Sequence, residues 1–131
     1  MQPQLRWQLR FKNFSSALTE LKLAVEKDEY TVLERSGLIQ LFEISFELAW
    51  KTMKDLLEYE GYDVKSPRGT IKQAFQNEII SDGELWLKLL DGRNMYAHIY
   101  SQGMAKSVVH DIKIVFMPLL LELETTLGGY L

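Results

Sequence analysis

The sequence predicts an all-α protein, an antiparallel up-and-down four-helix bundle with one additional short helix. Apolar side chains recur at the three- and four-residue spacing of amphipathic helices, and no stretch alternates with the period of a half-buried strand. Turn and capping residues divide the 131-residue chain into five such stretches. No linker or change of composition interrupts the series, so we expect a single domain over residues 1–131.

The first two predicted helices have the longest apolar stripes. The first is predicted over residues 3–27, with stripe spacings of 4, 3, 4, 3 and 4 residues. The second is predicted over residues 31–60 and stops at Gly61. Its apolar arc is wider than one helix contact requires, which indicates a helix surrounded by others. The aromatic residues expected in the core are Phe42, Phe46, Trp50 and Trp86.

A short third helix and a fourth helix follow. Ser66 is predicted as an N-cap, and the short helix is predicted over residues 67–77, starting with a proline. Ser81 and Glu84 match a capping box that opens the fourth helix. Gly92 lies inside that helix, where it indicates either a loosened helix end or the close approach of a backbone or a ligand.

The last helix is expected to begin after an N-cap at Ser101 and to end at the glycine pair 128–129. Pro118 lies inside it. Because proline removes one hydrogen bond and crowds the preceding turn, we expect a kink near residues 114–118. The apolar run from Ile112 to Leu121 is wider than one bundle seam, so this helix, with the second and fourth, is expected to form a homodimer surface.

Composition excludes several classes of function. A net charge of -3 argues against a broad duplex-binding surface, although a small basic site stays open. The chain has no cysteine and two histidines twelve residues apart, so we predict no disulfide, no metal site and no cofactor. The first residues lack an apolar signal core, and no stretch of about 18 apolar residues occurs. We therefore expect a soluble cytoplasmic protein without a membrane span.

Reactive side chains concentrate in residues 93–100, Arg-Asn-Met-Tyr-Ala-His-Ile-Tyr, directly after an apolar helical segment. This position predicts a helix end that faces a cleft. Asn94 and His98 are four residues apart and share a helix face. Arg93 and His98 lie about 140° apart on an ideal helix. They therefore converge only if the helix ends between them or if the arginine folds across.

Three features of this stretch favour phosphate chemistry. Arg93 offers a planar fork for two phosphate oxygens. Ser101 begins the next helix, whose unpaired N–H groups attract anions. The dipole at the preceding helix end favours a protonated His98. A purely structural interpretation also stays open, because such side chains often only satisfy carbonyl groups at a helix end. His110, beside the apolar face of the last helix, is interpreted as structural.

Arg93-Asn94, followed after three residues by His98, resembles the signature of the HEPN superfamily (higher eukaryote and prokaryote nucleotide-binding domains). Tyr100, two residues after the histidine, matches the form found in partners of minimal nucleotidyltransferases. Residues 40–51 are similar to the second helix of the nucleotidyltransferase substrate-binding proteins. Further similar blocks, which extend the resemblance over about residues 35–125, are Ser66-Pro67-Arg68, Ala74-Phe75 and Trp86.

The resemblance implies a helical homodimer that works with a small nucleotidyltransferase. One form of the family is a metal-independent ribonuclease toxin, for which the catalytic residues here are Arg93, Asn94 and His98. Its nucleotidyltransferase antitoxin transfers AMP to the tyrosine that matches Tyr100. The other form is a non-catalytic subunit that binds a nucleotide or another substrate for the nucleotidyltransferase.

Physical chemistry connects the ribonuclease form with a dimer. Cleavage of RNA by its 2′-hydroxyl requires both a base and an acid, and one chain supplies one suitable histidine. Two chains around a twofold axis supply two. We favour the ribonuclease form, with Arg93 and Ser101 binding phosphate.

Overall fold

The computed structural model describes residues 1–99 and 101–131, and all regular secondary structure in these residues is helical. The helical segments from Gln102 to Gly128 follow one another without a break and count as one long helix, so the described residues form four main helices and one short one. This confirms the predicted all-α bundle with a short extra helix. The segments are α1 (Pro3–Ala24), α2 (Val32–Tyr59), α3 (Pro67–Gln76), α4 (Gly83–Met95), a 3₁₀ turn (Tyr96–His98), α5 (Gln102–Asp111), a π-helical segment (Ile112–Phe116) and α6 (Met117–Gly128).

Helix α2 is the centre of the bundle and packs against α1, α3, α5 and α6. Its wide apolar arc is therefore buried on several sides, as the sequence predicted. Phe42 and Phe46 are fully buried, and Trp50 and Trp86 are nearly so. Each such side chain contributes roughly 1.5–3 kcal/mol by its removal from water. The Phe46 ring of α2 lies 6.4 Å from the Trp86 ring of α4, which connects the two helices through the core.

Two caps predicted from the sequence are confirmed. The Ser66 hydroxyl accepts a hydrogen bond from the Gly69 N–H at 3.0 Å at the start of α3. The Ser101 hydroxyl accepts one from the Met104 N–H at 3.2 Å at the start of α5. Helix α2 opens with a complete capping box between Thr31 and Glu34. These caps satisfy N–H groups that the helix itself leaves unpaired.

The capping box predicted for α4 is wrong. Asp82 is the N-cap, and its carboxylate accepts a hydrogen bond from the Leu85 N–H at 3.0 Å. The neighbouring Ser81 hydroxyl instead donates to Glu122 of α6 at 2.6 Å. Two adjacent residues were able to cap this helix, and the contact with α6 engages the serine. A long-range partner therefore decided which residue caps α4.

The irregularity expected around Pro118 takes the form of a π-helical segment that ends just before α6. The Met117 N–H donates to the Ile112 carbonyl, one residue further back than in an α-helix. Pro118 has no N–H, so the chain before it loses one α-helical bond. The apolar run expected to form a dimer surface is mostly core, because Ile112, Phe116, Met117, Leu119 and Leu120 are buried, whereas Ile114 is exposed.

Candidate functional site

The end of α4 holds the residues singled out by the sequence. Arg93 and Asn94 lie in its last turn, and His98 closes the 3₁₀ turn that follows. The α-helix thus ends at Met95, between Arg93 and His98. This is one of the two arrangements in which the sequence allows these side chains to converge on one ligand. Asn94 and His98 are exposed, whereas Arg93 is mostly covered. Tyr100 lies outside the described residues.

Arg93 folds back against α2. Its Nη2 forms an ion pair with a carboxylate oxygen of Glu47, and its guanidinium lies 5.4 Å from the centre of the Phe46 ring. The Nε atom is buried and has no hydrogen-bond acceptor among the described residues. A carboxylate on one side and an aromatic face on the other hold the guanidinium in one position. Only 26% of the side chain is exposed, so any phosphate must approach it from that open edge.

Glu47 is the residue of this site that sequence reasoning missed. Its second carboxylate oxygen accepts a hydrogen bond from the Trp50 indole N–H at 3.2 Å and lies 3.7 Å from the Lys51 ammonium. The sequence predicts only the pairing with Lys51, one helical turn away. Nothing in the local pattern indicates Arg93 as a partner, because the contact depends on the packing of α2 beside α4. The carboxylate is itself held in place, so it can position the arginine.

A cavity of about 470 Å³ opens beside His98, between the end of α4 and the last helix. Most of its lining is apolar, and its polar edge includes His98 and Asp111. This volume lies within the usual range for small-molecule sites. The lining residues are Lys88, Asp91, Gly92, Met95, Tyr96, His98, Ile99, Met104, Val108, Asp111 and Phe116.

Tyr96 is one of the residues that line this cavity. Its ring lies 5.6 Å from that of Phe42 in the core. Burial, together with the nearby charge of Asp111, raises the pKa of the Tyr96 hydroxyl above its ordinary value. A side chain at Gly92 would meet the Tyr96 hydroxyl at 3.3 Å. Gly92 therefore leaves room for the Tyr96 side chain, which is four residues further along and on the same face, rather than for a backbone or a ligand.

Ser101 does not join Arg93 in the structure. Its hydroxyl caps α5, and it borders a smaller cavity of about 260 Å³ that also reaches Ile39 and Gln102. No described contact connects it with Arg93. The stretch predicted as one site is therefore spread along the connection from α4 to α5. Its arginine lies against α2, its histidine is exposed and its serine caps the next helix.

Two further observations concern metal binding and membrane spans in the described residues. No group of three histidine and acidic side chains among residues 1–99 and 101–131 is arranged to hold a metal ion. None of the helices in these ranges is long and apolar enough to cross a membrane. His110, interpreted from the sequence as structural, is exposed and borders a separate cavity near the start of α2.

Known proteins share both the sequence pattern and the fold. The sequence profile described as "Nucleotidyltransferase substrate binding protein like" matches residues 9–128. A protein of Haemophilus influenzae (strain ATCC 51907 / DSM 11121 / KW20 / Rd) named probable ribonuclease HepT is 29% identical over 82 residues, which are 59% of this chain and 56% of that protein. The match with this curated relative thus spans about half of its length.

A crystal structure of a protein from Thermus thermophilus superposes with a TM-score of 0.74 and 28% identity, over 89% of this chain and 97% of that one. The likeness therefore covers almost the entire bundle. The profile match covers nearly the whole chain as well. The protein belongs to the nucleotidyltransferase substrate binding protein like family of HEPN domains.

Proposed function

We propose that the protein is the HEPN subunit of a cytoplasmic two-component system with a minimal nucleotidyltransferase, in which it is a metal-independent ribonuclease toxin. The observation that supports this is the α4 end, where an exposed His98 follows an arginine held by Glu47 and Phe46. Arginine stabilises the charge that develops on a phosphate under attack. Histidine moves the protons that RNA cleavage requires.

A second copy of the chain completes this chemistry. In an isologous dimer, one His98 accepts the proton of the 2′-hydroxyl and the other donates a proton to the leaving oxygen. Asn94 orients the imidazole, and Ser101 at the start of α5 contacts a neighbouring phosphate of the RNA rather than the one bound by Arg93. Two methionines beside His98 are solvent-accessible, with 69% of Met95 and 45% of Met104 exposed. Exposed thioethers next to the candidate site support a homodimer contact at this end of the bundle.

The names of the relatives support the same proposal. The Haemophilus influenzae protein is named as a probable ribonuclease, and the family description refers to a nucleotidyltransferase. Neither name identifies an RNA target. The chemistry proposed here therefore rests on Arg93 and His98, and RNA is the substrate class that their acid–base and phosphate-binding roles suit.

The decisive experiment measures cleavage of a labelled RNA by the purified protein in buffer with a metal chelator. We expect His98→Ala to lower the rate by about 10²–10⁴-fold, which is the usual contribution of a general acid or base. Arg93→Gln is also expected to lower it. Lys12→Gln, which removes an exposed positive charge on α1, serves as the control and should keep the wild-type rate. A His98→Ala protein that cleaves RNA at the wild-type rate contradicts the proposal.

The apolar cavity beside His98 favours a second candidate function. A non-catalytic subunit would use the same residues to bind a nucleotide, with the base in the cavity of about 470 Å³ and the phosphate near His98. Calorimetry with ATP distinguishes the two. Saturable binding that is lost in His98→Ala, without RNA cleavage by the wild-type protein, supports the binding subunit and not the ribonuclease.

Tyr100 is proposed as the position through which the nucleotidyltransferase controls the toxin. Its phenol oxygen would bond to the α-phosphorus of ATP and release pyrophosphate. The attached AMP would bring a negative charge and bulk within two residues of His98. The test is incubation with the cognate nucleotidyltransferase, ATP and magnesium, followed by mass spectrometry. We expect an AMP adduct that is absent in Tyr100→Phe, and an adduct only at another residue would contradict this role.

A further inference from the structure

A polar cavity of about 410 Å³ lies away from the α4 end, between the loop that precedes α2 and the last helix. It shares no lining residue with the cavity beside His98. Four of its eight lining residues are basic. The lining residues are Asp28, Glu29, Tyr30, Arg35, Lys106, Val109, His110 and Lys113.

Arg35 is the buried element of this cavity. The residue is only 9% exposed, and it lies in the first turns of α2. Its Nε donates to the Gln102 side-chain oxygen at 2.9 Å, and its Nη1 donates to the Tyr30 carbonyl at 2.6 Å. Both acceptors are neutral. Within residues 1–99 and 101–131, no carboxylate forms an ion pair with Arg35.

A mostly buried guanidinium without a counter-ion is unfavourable, because burial removes the water that solvates its charge. The two hydrogen bonds to neutral oxygens leave Nη2 without a protein acceptor in the described part of the chain, and Nη2 is not among the fully buried unpartnered atoms, so it is open to the cavity. An anion in the cavity would supply a counter-charge in direct contact and an acceptor for Nη2. The guanidinium geometry suits phosphate oxygens in particular.

The last helix brings three more basic side chains to the same cavity. Lys106, His110 and Lys113 are spaced four and three residues apart, which puts them on one helix face. Lys113 also has a structural task, since its ammonium donates to the Lys27 carbonyl at 2.5 Å and lies 5.3 Å from the Tyr30 ring centre. Lys106 is exposed and makes no hydrogen bond or ion pair with a described residue. Its charge is therefore available to a ligand.

The cavity also has an acidic edge. Asp28 and Glu29 are exposed and weaken the attraction of a bare anion. Their carboxylates accept hydrogen bonds, and the hydroxyl groups of a sugar donate them. A volume of about 410 Å³ falls in the range of small-molecule sites, whereas a phosphate ion alone would fill only part of it. The lining thus suits a ligand with phosphate at one end and hydroxyl groups at the other.

We propose that this cavity binds a small sugar phosphate, with the phosphate held by Arg35 and Lys106 and the sugar hydroxyls facing Asp28 and Glu29. The site is separate from the Arg93–His98 segment and does not depend on the proposed ribonuclease activity. It places a small-molecule ligand between the start of α2 and the last helix. Bound there, the ligand would connect the α1–α2 loop to α5.

The test is titration calorimetry of the purified full chain with ribose 5-phosphate, and with ribose as the unphosphorylated control. We expect saturable binding of ribose 5-phosphate and none of ribose at the same concentration. Because Arg35→Gln removes a buried charge together with two hydrogen bonds, and so risks unfolding, Lys106→Gln is the decisive variant. It should weaken binding about tenfold, as expected for the loss of one charged hydrogen bond. Lys12→Gln removes the same charge elsewhere and should bind as the wild type does.

Two results would overturn the proposal. One is the absence of saturable binding of ribose 5-phosphate at millimolar concentration in the wild-type protein. The other is binding that Lys106→Gln leaves unchanged and that His98→Ala abolishes, which would put the ligand in the cavity beside His98. Circular dichroism of each variant confirms that a change in binding does not reflect unfolding.

Discussion

Arg93 and Arg35 are both largely covered by the bundle, yet their charges are compensated in different ways. Arg93 has a carboxylate, Glu47, and lies on the face of Phe46. Arg35 has only the Gln102 amide oxygen and the Tyr30 carbonyl. A carboxylate offsets the charge of an arginine and competes with any phosphate, whereas neutral acceptors orient it and leave the charge in place. Glu47 thus holds Arg93 in place for a phosphate that reaches its exposed edge, whereas Arg35 keeps a charge that no carboxylate pairs with and that attracts an anion.

The largest expected effect concerns the ring beneath Arg93. Phe46→Ala removes a fully buried aromatic side chain and should lower the free energy of unfolding by about 3–5 kcal/mol. Phe75→Ala is the matched control, because 49% of Phe75 is exposed, and it should cost much less. Chemical denaturation measures both. Equal losses in the two variants would contradict the burial of the Phe46 ring in the core beneath Arg93.

The next effect tests the ion pair itself. Glu47→Gln should lower the free energy of unfolding by about 1–2 kcal/mol, between the values of exposed and buried pairs, because both side chains are only partly covered. In the double variant with Arg93→Gln, the loss should be smaller than the sum of the two single losses. Denaturation of the four proteins provides this cycle. Additive losses would show that the two side chains do not stabilise each other.

A smaller effect is expected at Arg35. Gln102→Ala removes the acceptor of the Arg35 Nε and should cost about 0.5–1.5 kcal/mol, the usual net value of one hydrogen bond. Gln4→Ala is the control, since Gln4 is also exposed in the first turn of a helix and makes no hydrogen bond with a described residue. Thermal denaturation compares the two variants. The prediction is wrong if Gln4→Ala costs as much as Gln102→Ala.

The smallest effect depends on pH and involves Glu34, the capping-box residue that directly precedes Arg35 in the sequence. The Lys27 side chain, followed by the Thr31 backbone N–H, lowers the pKa of the Glu34 carboxyl from 4.5 to about 2. A lowered pKa stabilises the folded state above pH 4.5, and this stabilisation is lost as the pH falls toward 2. The stability difference between the wild type and Glu34→Gln should therefore be smaller at about pH 3 than at about pH 6.

Glu84 provides the control for this pH experiment. It is an exposed acidic residue in the first turn of α4, and no capping box holds it. Glu84→Gln should change the stability little, and to a similar extent at both pH values. A Glu34→Gln protein whose stability difference from the wild type is the same at both pH values would contradict a role for the capping box in the pH dependence.

The helices themselves were predictable because their signals are local. Apolar spacing predicted all five helical stretches, and Ser66 and Ser101 were identified as caps from residues within one turn of them. Local patterns could not choose between adjacent candidates, as at the start of α4, where Ser81 bonds to Glu122 and Asp82 becomes the cap. The apolar run from Ile112 to Leu121 was likewise indistinguishable from an exposed surface until the packing of the last helix buried most of it.

The sequence by itself determined the all-α class, the family signature at Arg93, Asn94 and His98, and the position of that signature at the end of a helix. Only the tertiary structure decided what surrounds each charge. It brings Glu47 to Arg93 and Gln102 to Arg35, because α2 packs between elements that are distant in the chain. Helical periodicity depends on neighbours within one or two turns, whereas the compensation of a buried charge depends on whichever side chain packing brings within reach.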